Sequence, residues 1–228
     1  MSFIFPPKTI SAVPIKDSDQ LYPVNRIYCV GQNYGDHVRE MGGDPKRNSP
    51  VFFSKPANTI VINNKSVKYP TATDNFHYEV ELVVALSSGG VNIPEELALN
   101  CVFGYAVGID FTRRDLQILA KQSGRPWDVA KGFDQSAPIS PITENPEMSN
   151  LSKVQISLSL NGEVRQNSTL DEMIWSVPEI ISELSKFYEL QPGDLIFTGT
   201  PSGVSAAVAG DRLSAEISGI GDLNFEII

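Results

Sequence analysis

The chain has 228 residues, of which 41% are hydrophobic and 20% charged, which suits one large core or a main domain with a small arm and demands no disordered segment. A net charge of −9 argues against nucleic acid and anionic membrane as partners, because both are bound by basic patches. The only cysteines, Cys29 and Cys101, lie in apolar stretches and read as reduced, buried thiols with no zinc set; with no signal-like start and no membrane-spanning run, the expected location is cytoplasmic.

Residues 1 to 20 are Pro-containing and weakly patterned, which suggests an N-terminal arm, and residues 21 to 228 read as a single domain. Strands are expected at 26 to 30, 51 to 54 and 59 to 62, with a short helix over 34 to 41 that Asn33 can cap. His37 and Glu40 fall at i, i+3 on that helix, so the carboxylate can orient the imidazole and raise its basicity; the plainer reading is an exposed surface pair. Asp36, Arg39, Asp44, Lys46 and Arg47, interspersed with Gly42-Gly43 and Pro45, suggest a mobile lid around residues 35 to 48.

The run from 78 to 86 is the most informative. A strand here places Tyr78, Val80, Leu82, Val84 and Leu86 on one side and Glu79, Glu81, Val83 and Ala85 on the other, so both faces are largely apolar. Two carboxylates on one enclosed face repel and lose hydration unless they are protonated, paired with a base or bound to a metal. His77 can act as a further ligand or as a neighbour to Glu79 but ranks second, because its side chain would face away from Glu81's partner position if the strand begins there. After a helix at 94 to 100, the strand at 102 to 110 alternates small residues (Gly104, Ala106, Gly108) with large ones and ends at Asp110, whose simplest role is to cap the next helix, as Thr112 also could. Three carboxylates from Glu79, Glu81 and Asp110 converging on one point would select a hard cation, Mg²⁺, Mn²⁺ or Ca²⁺, and leave positions open for water and substrate.

A helix over 112 to 122 carries Arg114, Gln117 and Lys121 on one face, and the loop from Gly124 to Asp134 holds Trp127, Lys131 and Phe133 in a composition that suits a packed functional loop. Strands at 154 to 160 and 163 to 166 flank Asn161-Gly162, a strong hairpin turn, and Pro178 is expected to break or kink a helix over 170 to 187. Strands at 195 to 198, 212 to 217 and 222 to 227 complete the chain. Gly199-Thr200-Pro201-Ser202-Gly203 lacks the Gly-Lys-Ser/Thr of a P-loop and by itself is a turn. Many short strands with interspersed helices point to a β-rich α+β fold.

Taken in order, Asn33-Tyr34-x-x-His37-x-x-Glu40-Met41-Gly42, Phe53-x-Lys55-Pro56, Glu79-x-Glu81, Asp110-x-x-x-Arg114-Asp115-x-Gln117, Lys131-x-x-Asp134, Pro192-Gly193-Asp194 and Gly199-Thr200-Pro201-x-Gly203-Val204 resemble the fumarylacetoacetate hydrolase family nearly end to end. Gly124-Arg125-Pro126-Trp127 and Ile174-Trp175-Ser176-Val177-Pro178 look most like its fumarylpyruvate hydrolases, with the acylpyruvase and oxaloacetate decarboxylase branch close by. The resemblance implies a mixed β-sandwich roll, usually a homodimer. It also implies Glu79, Glu81 and Asp110 as ligands of Mg²⁺ or Mn²⁺, a catalytic His37–Glu40 dyad on the lid, and Lys131, Arg114, Gln117 and Thr200 as contacts to substrate or a developing oxyanion. One departure is that the larger relative fumarylacetoacetase has a further acidic metal ligand with no counterpart located here.

Such a site can chelate a small anionic 2-oxo acid, while His37 activates water against a distal carbonyl and Lys131, Gln117 and backbone N–H groups near Gly199 and Thr200 receive the oxyanion. The expected activity is hydrolysis of an acylpyruvate, with fumarylpyruvate the best candidate. Arg39, Arg114 and Arg125 are the candidates for its second carboxylate. A decarboxylase or tautomerase of oxaloacetate using the same metal site is the alternative, and a catalytically inert relative is a third.

Overall fold

The computed structural model describes residues 3–144 and 153–228. Its main strands are β1 (Ile27–Gly31), β2 (Val51–Lys55), β3 (Val80–Leu86), β4 (Val102–Ile109), β5 (Gln155–Leu160), β6 (Glu163–Thr169), β7 (Leu195–Phe197), β8 (Arg212–Ile217) and β9 (Gly221–Glu226). A six-stranded sheet runs in the order Thr143–Glu144, β4, β3, β7, β1, β2, and a four-stranded sheet in the order β6, β5, β8, β9. The first is mixed, since β7 is parallel to β1 and antiparallel to β3, whereas the second is antiparallel throughout. The helices are α1 (Gly35–Glu40), α2 (Glu95–Ala98), α3 (Arg114–Gln122), α4 (Asp128–Lys131) and α5 (Val177–Leu184). None of the helices is long and apolar enough to cross a membrane among the described residues.

The period of two along β3 explains this layering. Val80, Leu82, Val84 and Leu86 join one core with Ile156 and Leu158 of β5, Leu213 and Ile217 of β8, and Ile180, Ile181 and Leu184 of α5. Val83 and Ala85 face a second core built with Val13, Ile15, Tyr22, Ala137, Ile139 and Ile142. Both faces of the large sheet are therefore covered, and each fully buried Val or Leu stabilises the fold by about 1.5–3 kcal/mol relative to exposure. The small residues of β4 let neighbours in close: a Cβ on Gly104 would lie 2.4 Å from the Thr143 carbonyl oxygen, and one on Gly108 would lie 2.5 Å from both Phe197 and Val83.

The β-rich α+β fold is as expected, and several local readings are corrected. The boundary at residue 20 falls inside a hairpin, because Ala12–Pro14 pairs with Leu21–Pro23 and Val13 is fully buried in the second core. Asn33 does not cap α1, whose flanking residue is Tyr34 with no side-chain cap. Its amide instead donates to the carbonyls of Thr198 and Trp175 at 2.8 and 3.0 Å and accepts from the Trp175 N–H at 2.7 Å, tying three segments together. Neither Asp110 nor Thr112 caps α3: Thr112–Arg113 pairs with Phe76–His77, and the helix starts after Arg113. The expected helix at 170 to 187 is a 3₁₀ turn, Leu170–Glu172, followed by α5. Pro178 lies in the first turn of α5, where a missing N–H costs nothing, behind a capping box formed by Ser176 and Glu179. Asn161 and Gly162 take φ of 54° and 83°, the paired left-handed values that an Asn-Gly hairpin requires.

Candidate active site

The carboxylates come from adjacent strands. Glu79 precedes β3 and Glu81 lies within it, so the one-residue spacing puts both on the same face, and Asp110 follows the last residue of β4. Val80 pairs with Ile109, and the Asp110 N–H donates to the Glu79 carbonyl at 2.8 Å, extending the ladder by one rung. One oxygen from each of the three side chains lies within 4.8 Å of the others, and all three residues are buried.

Three bases surround them. Lys131 Nζ lies 2.8 Å from Glu79 and 2.6 Å from Asp110, Arg114 bonds the other oxygen of Glu79, and Lys55 Nζ lies 2.8 Å from Asp110 Oδ1. Lys55 Nζ also donates to the Phe111 and Lys131 carbonyls, so its contact with Asp110 Oδ1 is an ion pair outside hydrogen-bond geometry. Burial raises Glu79, but Lys131 and then Arg114 outweigh it and hold its carboxyl well below the ordinary range. Glu81 is the opposite case. Burial, followed by the Asp110 and Glu79 charges, pushes it well above that range, and its hydrogen-bond partner is the Gly199 N–H at 2.7 Å rather than a base. Three buried carboxylates with oxygens within 4.8 Å of one another, one of which, Glu81, no base meets, form the donor set a hard divalent ion fits, so the residues present suit Mg²⁺ or Mn²⁺.

His37 faces this cluster from α1. Its Nδ1 lies 3.2 Å from Glu40 Oε2, and burial lowers its pKa below 6.5 against the opposing pull of Glu79 and Glu40. The imidazole is therefore neutral at pH 7, with Nε2 left for other work. Glu40 also accepts from the Gly203 N–H at 3.0 Å, which fastens α1 to the loop after β7. On α3, Gln117 accepts from Arg114 at 2.5 Å, leaving its amide N–H groups unassigned, while Thr200 Oγ1 accepts from Gln166 at 2.8 Å.

Glu79, Glu81, Asp110, His37, Arg114, Gln117, Lys131 and Thr200 all line a single cavity, and Glu40 stands behind His37. The free space is about 30 Å³, room for an ion or a water or two. Two expectations change. Gly199 cannot present its N–H to an oxyanion, because Glu81 takes it. Arg39 pairs with Asp36 outside the cavity, and Arg125 lines a separate outer groove, so Arg114 is the one of the three arginines that reaches the site. His77 lies outside the cluster, bonded to Asn75 at 2.7 Å, with burial and then Arg114 lowering its pKa to about 4.

Sequence reasoning assigned no role to Lys55 or Gln166. Lys55 ends β2 with its side chain fully buried against Asp110, and Gln166 on β6 braces both the Val80 N–H and Thr200. The signal for Lys55 was present, a lone lysine closing an apolar strand before a proline, but nothing local ties it to a residue 55 positions away.

Comparison with known proteins supplies the context. Residues 26–228 match the profile described as fumarylacetoacetate (FAA) hydrolase C-terminal. The chain is 43% identical over 176 residues to a fumarylpyruvate hydrolase of a Ralstonia species, covering 77% of this chain and 91% of that one. It is 39% identical over 201 residues to the mitochondrial oxaloacetate tautomerase of Homo sapiens, covering 88% and 90%. The crystal structure of fumarylpyruvate hydrolase from Pseudomonas aeruginosa in complex with Mn²⁺ and pyruvate superposes with a TM-score of 0.96 at 48% identity, covering 100% of this chain and 99% of that one.

Proposed function

The chain belongs to the fumarylacetoacetate hydrolase family, and we propose that it is a metal-dependent acylpyruvate hydrolase whose substrate is fumarylpyruvate, cleaved to fumarate and pyruvate. The observation that carries this reading is the meeting, across one cavity, of three buried carboxylates and a neutral histidine backed by a glutamate. The likeness to a fumarylpyruvate hydrolase that binds Mn²⁺ and pyruvate supports the choice of substrate.

Glu79, Glu81 and Asp110 are the residues that would hold Mg²⁺ or Mn²⁺, which when bound supplies Lewis-acid stabilisation of negative charge at the 2-oxo acid end. With its Nδ1 proton on Glu40, His37 uses Nε2 to take a proton from water, whose oxygen bonds to the distal carbonyl carbon. Gln117 and Lys131 stabilise the oxyanion that forms. Collapse breaks the bond between that carbon and the methylene, the electron pair leaves with the pyruvate fragment as its enolate, and the His37 proton returns to the methylene carbon. The acid released ionises to solvent, and atoms and charge balance.

On this reading the segment around residues 35 to 48 is a lid, and its contacts over the cavity support that role. Val38 and Met41 roof the cavity, Glu40 is tied to Gly203, and Arg47 reaches Glu179 while stacking on Trp175 at 4.3 Å. A cavity of about 30 Å³ is far smaller than a seven-carbon substrate, so entry requires this segment to lift.

The tautomerase relatives, at nearly the same identity, favour a second reading in which the same base moves a proton between carbon and oxygen of oxaloacetate. The two separate in one experiment. Purified protein with Mn²⁺ is offered fumarylpyruvate and oxaloacetate, and fumarate and pyruvate are quantified. Stoichiometric release of both acids supports the hydrolase; enol–keto conversion of oxaloacetate without acylpyruvate cleavage overturns it.

A further inference from the structure

We propose that Lys121 binds the far carboxylate of a dianionic substrate, and so selects acylpyruvates whose acyl group ends in a carboxylate. This rests on the acylpyruvase reading above and adds the element that sets its specificity. Arg114, Gln117 and Lys121 stand in one row on α3 and all line the cavity. Arg114 sits at the inner end, bonded to Glu79, and at ~1.5 Å rise per residue the row extends about 10 Å outward to Lys121.

A substrate anchored by its 2-oxo acid end at the carboxylate cluster meets that row lengthwise. In an extended chain at about 1.2 Å per bond, the carboxyl carbons of fumarylpyruvate lie roughly 7 Å apart, so the far carboxylate falls short of the Lys121 backbone and within reach of its four-carbon stem.

The other cations near the cavity are already engaged. Arg114 bonds Glu79 and Gln117, and Lys131 bonds Glu79 and Asp110. Among the described residues, Lys121 makes no ion pair, and its Nζ rests 5.1 Å from the centroid of the Trp127 ring, which packs in turn on Phe53. Both aromatics line the cavity, so the ammonium is held at an apolar wall that excludes water on one side. Burial and then the Arg114 charge lower the Lys121 pKa, as befits a cation that faces another cation and lacks an anion of its own.

The test compares fumarylpyruvate with acetylpyruvate, which keeps the reacting atoms and ends in a methyl group. In Mn²⁺-loaded protein, Lys121→Met raises the KM for fumarylpyruvate by about 10- to 100-fold, the factor expected for one charge-assisted hydrogen bond, and leaves acetylpyruvate kinetics within about twofold of wild type. Lys121→Arg restores most of the difference. Calorimetry gives a readout independent of turnover: fumarate binds the wild type and loses affinity by a similar factor in Lys121→Met. Equal losses on the two substrates, or unchanged fumarate affinity, overturn the assignment of Lys121 while leaving the acylpyruvase reading intact. A wild type inactive on both substrates overturns that reading, and this inference with it.

Discussion

Replacing Lys55 by Met removes a buried charge at nearly constant length and volume, so the change isolates electrostatics from packing. The side chain is fully buried, and its Nζ lies 2.8 Å from Asp110 Oδ1 while donating to the carbonyls of Phe111 and Lys131. Breaking a buried ion pair by deleting one partner costs about 3–5 kcal/mol. The lower end applies, because Asp110 keeps Lys131 at 2.6 Å on its other oxygen and Lys55 no longer has to be desolvated. We therefore expect a loss of about 3 kcal/mol, which for a chain of this size lowers Tm by roughly 6–12 °C. The assay is urea unfolding of the metal-free protein followed by fluorescence and circular dichroism. Asp110→Asn takes the carboxylate from Lys55, leaves Lys131 with Glu79 alone and destabilises in its own right, and the Lys55→Met/Asp110→Asn double variant loses less than the sum of the singles by about 1–3 kcal/mol. A Lys55→Met protein within about 0.5 kcal/mol of wild type, or strictly additive losses, would refute the reasoning.

Three further outcomes follow from the site. Glu81→Gln removes the carboxylate that burial and its anionic neighbours push up, so the metal-free variant melts no lower than wild type but loses the rise in Tm on adding Mn²⁺; a wild-type rise would remove Glu81 from the ligand set. His37→Ala retains that rise yet loses about 10²- to 10⁴-fold in kcat, and near-normal turnover would remove the dyad from the chemistry. Because His37 must be neutral to act as a base and its pKa lies below 6.5, kcat/KM falls as pH drops, along an acid limb centred below 6.5; a limb centred above 6.5 would contradict this.

How much of this could be read from the chain depends on the range of the interaction. The alternation at 78 to 86 announced both the strand and the shared direction of Glu79 and Glu81, because a period of two is a local property. Asn161-Gly162 was legible for the same reason, its positive φ values being written into those two residue types. Pro178 was misread because proline has two meanings, breaker inside a helix and starter in its first turn, and only the capping pair Ser176 and Glu179 decides between them. Asn33 looked like a cap because that is what asparagine does locally; its real partners lie 142 and 165 positions away. Lys55 was invisible as a site residue for the same reason, since its partner Asp110 is distant in sequence and follows a strand, β4, that three others separate from β2 in the sheet, so only the folded chain brings the two together.

The hydrogen bond from the Asp110 N–H to the Glu79 carbonyl makes the separation of those two acids a dimension of the weave itself. Main-chain geometry varies little from one protein to another, whereas side-chain geometry drifts with every neighbour. The roof residues Val38 and Met41 and the outward end of α3, which on the reading proposed above govern what may enter, hang from other parts of the chain and can be changed without loosening that rung. An engineer seeking a new specificity here should alter the roof and the outer helical row, and leave the knot between the two strands alone.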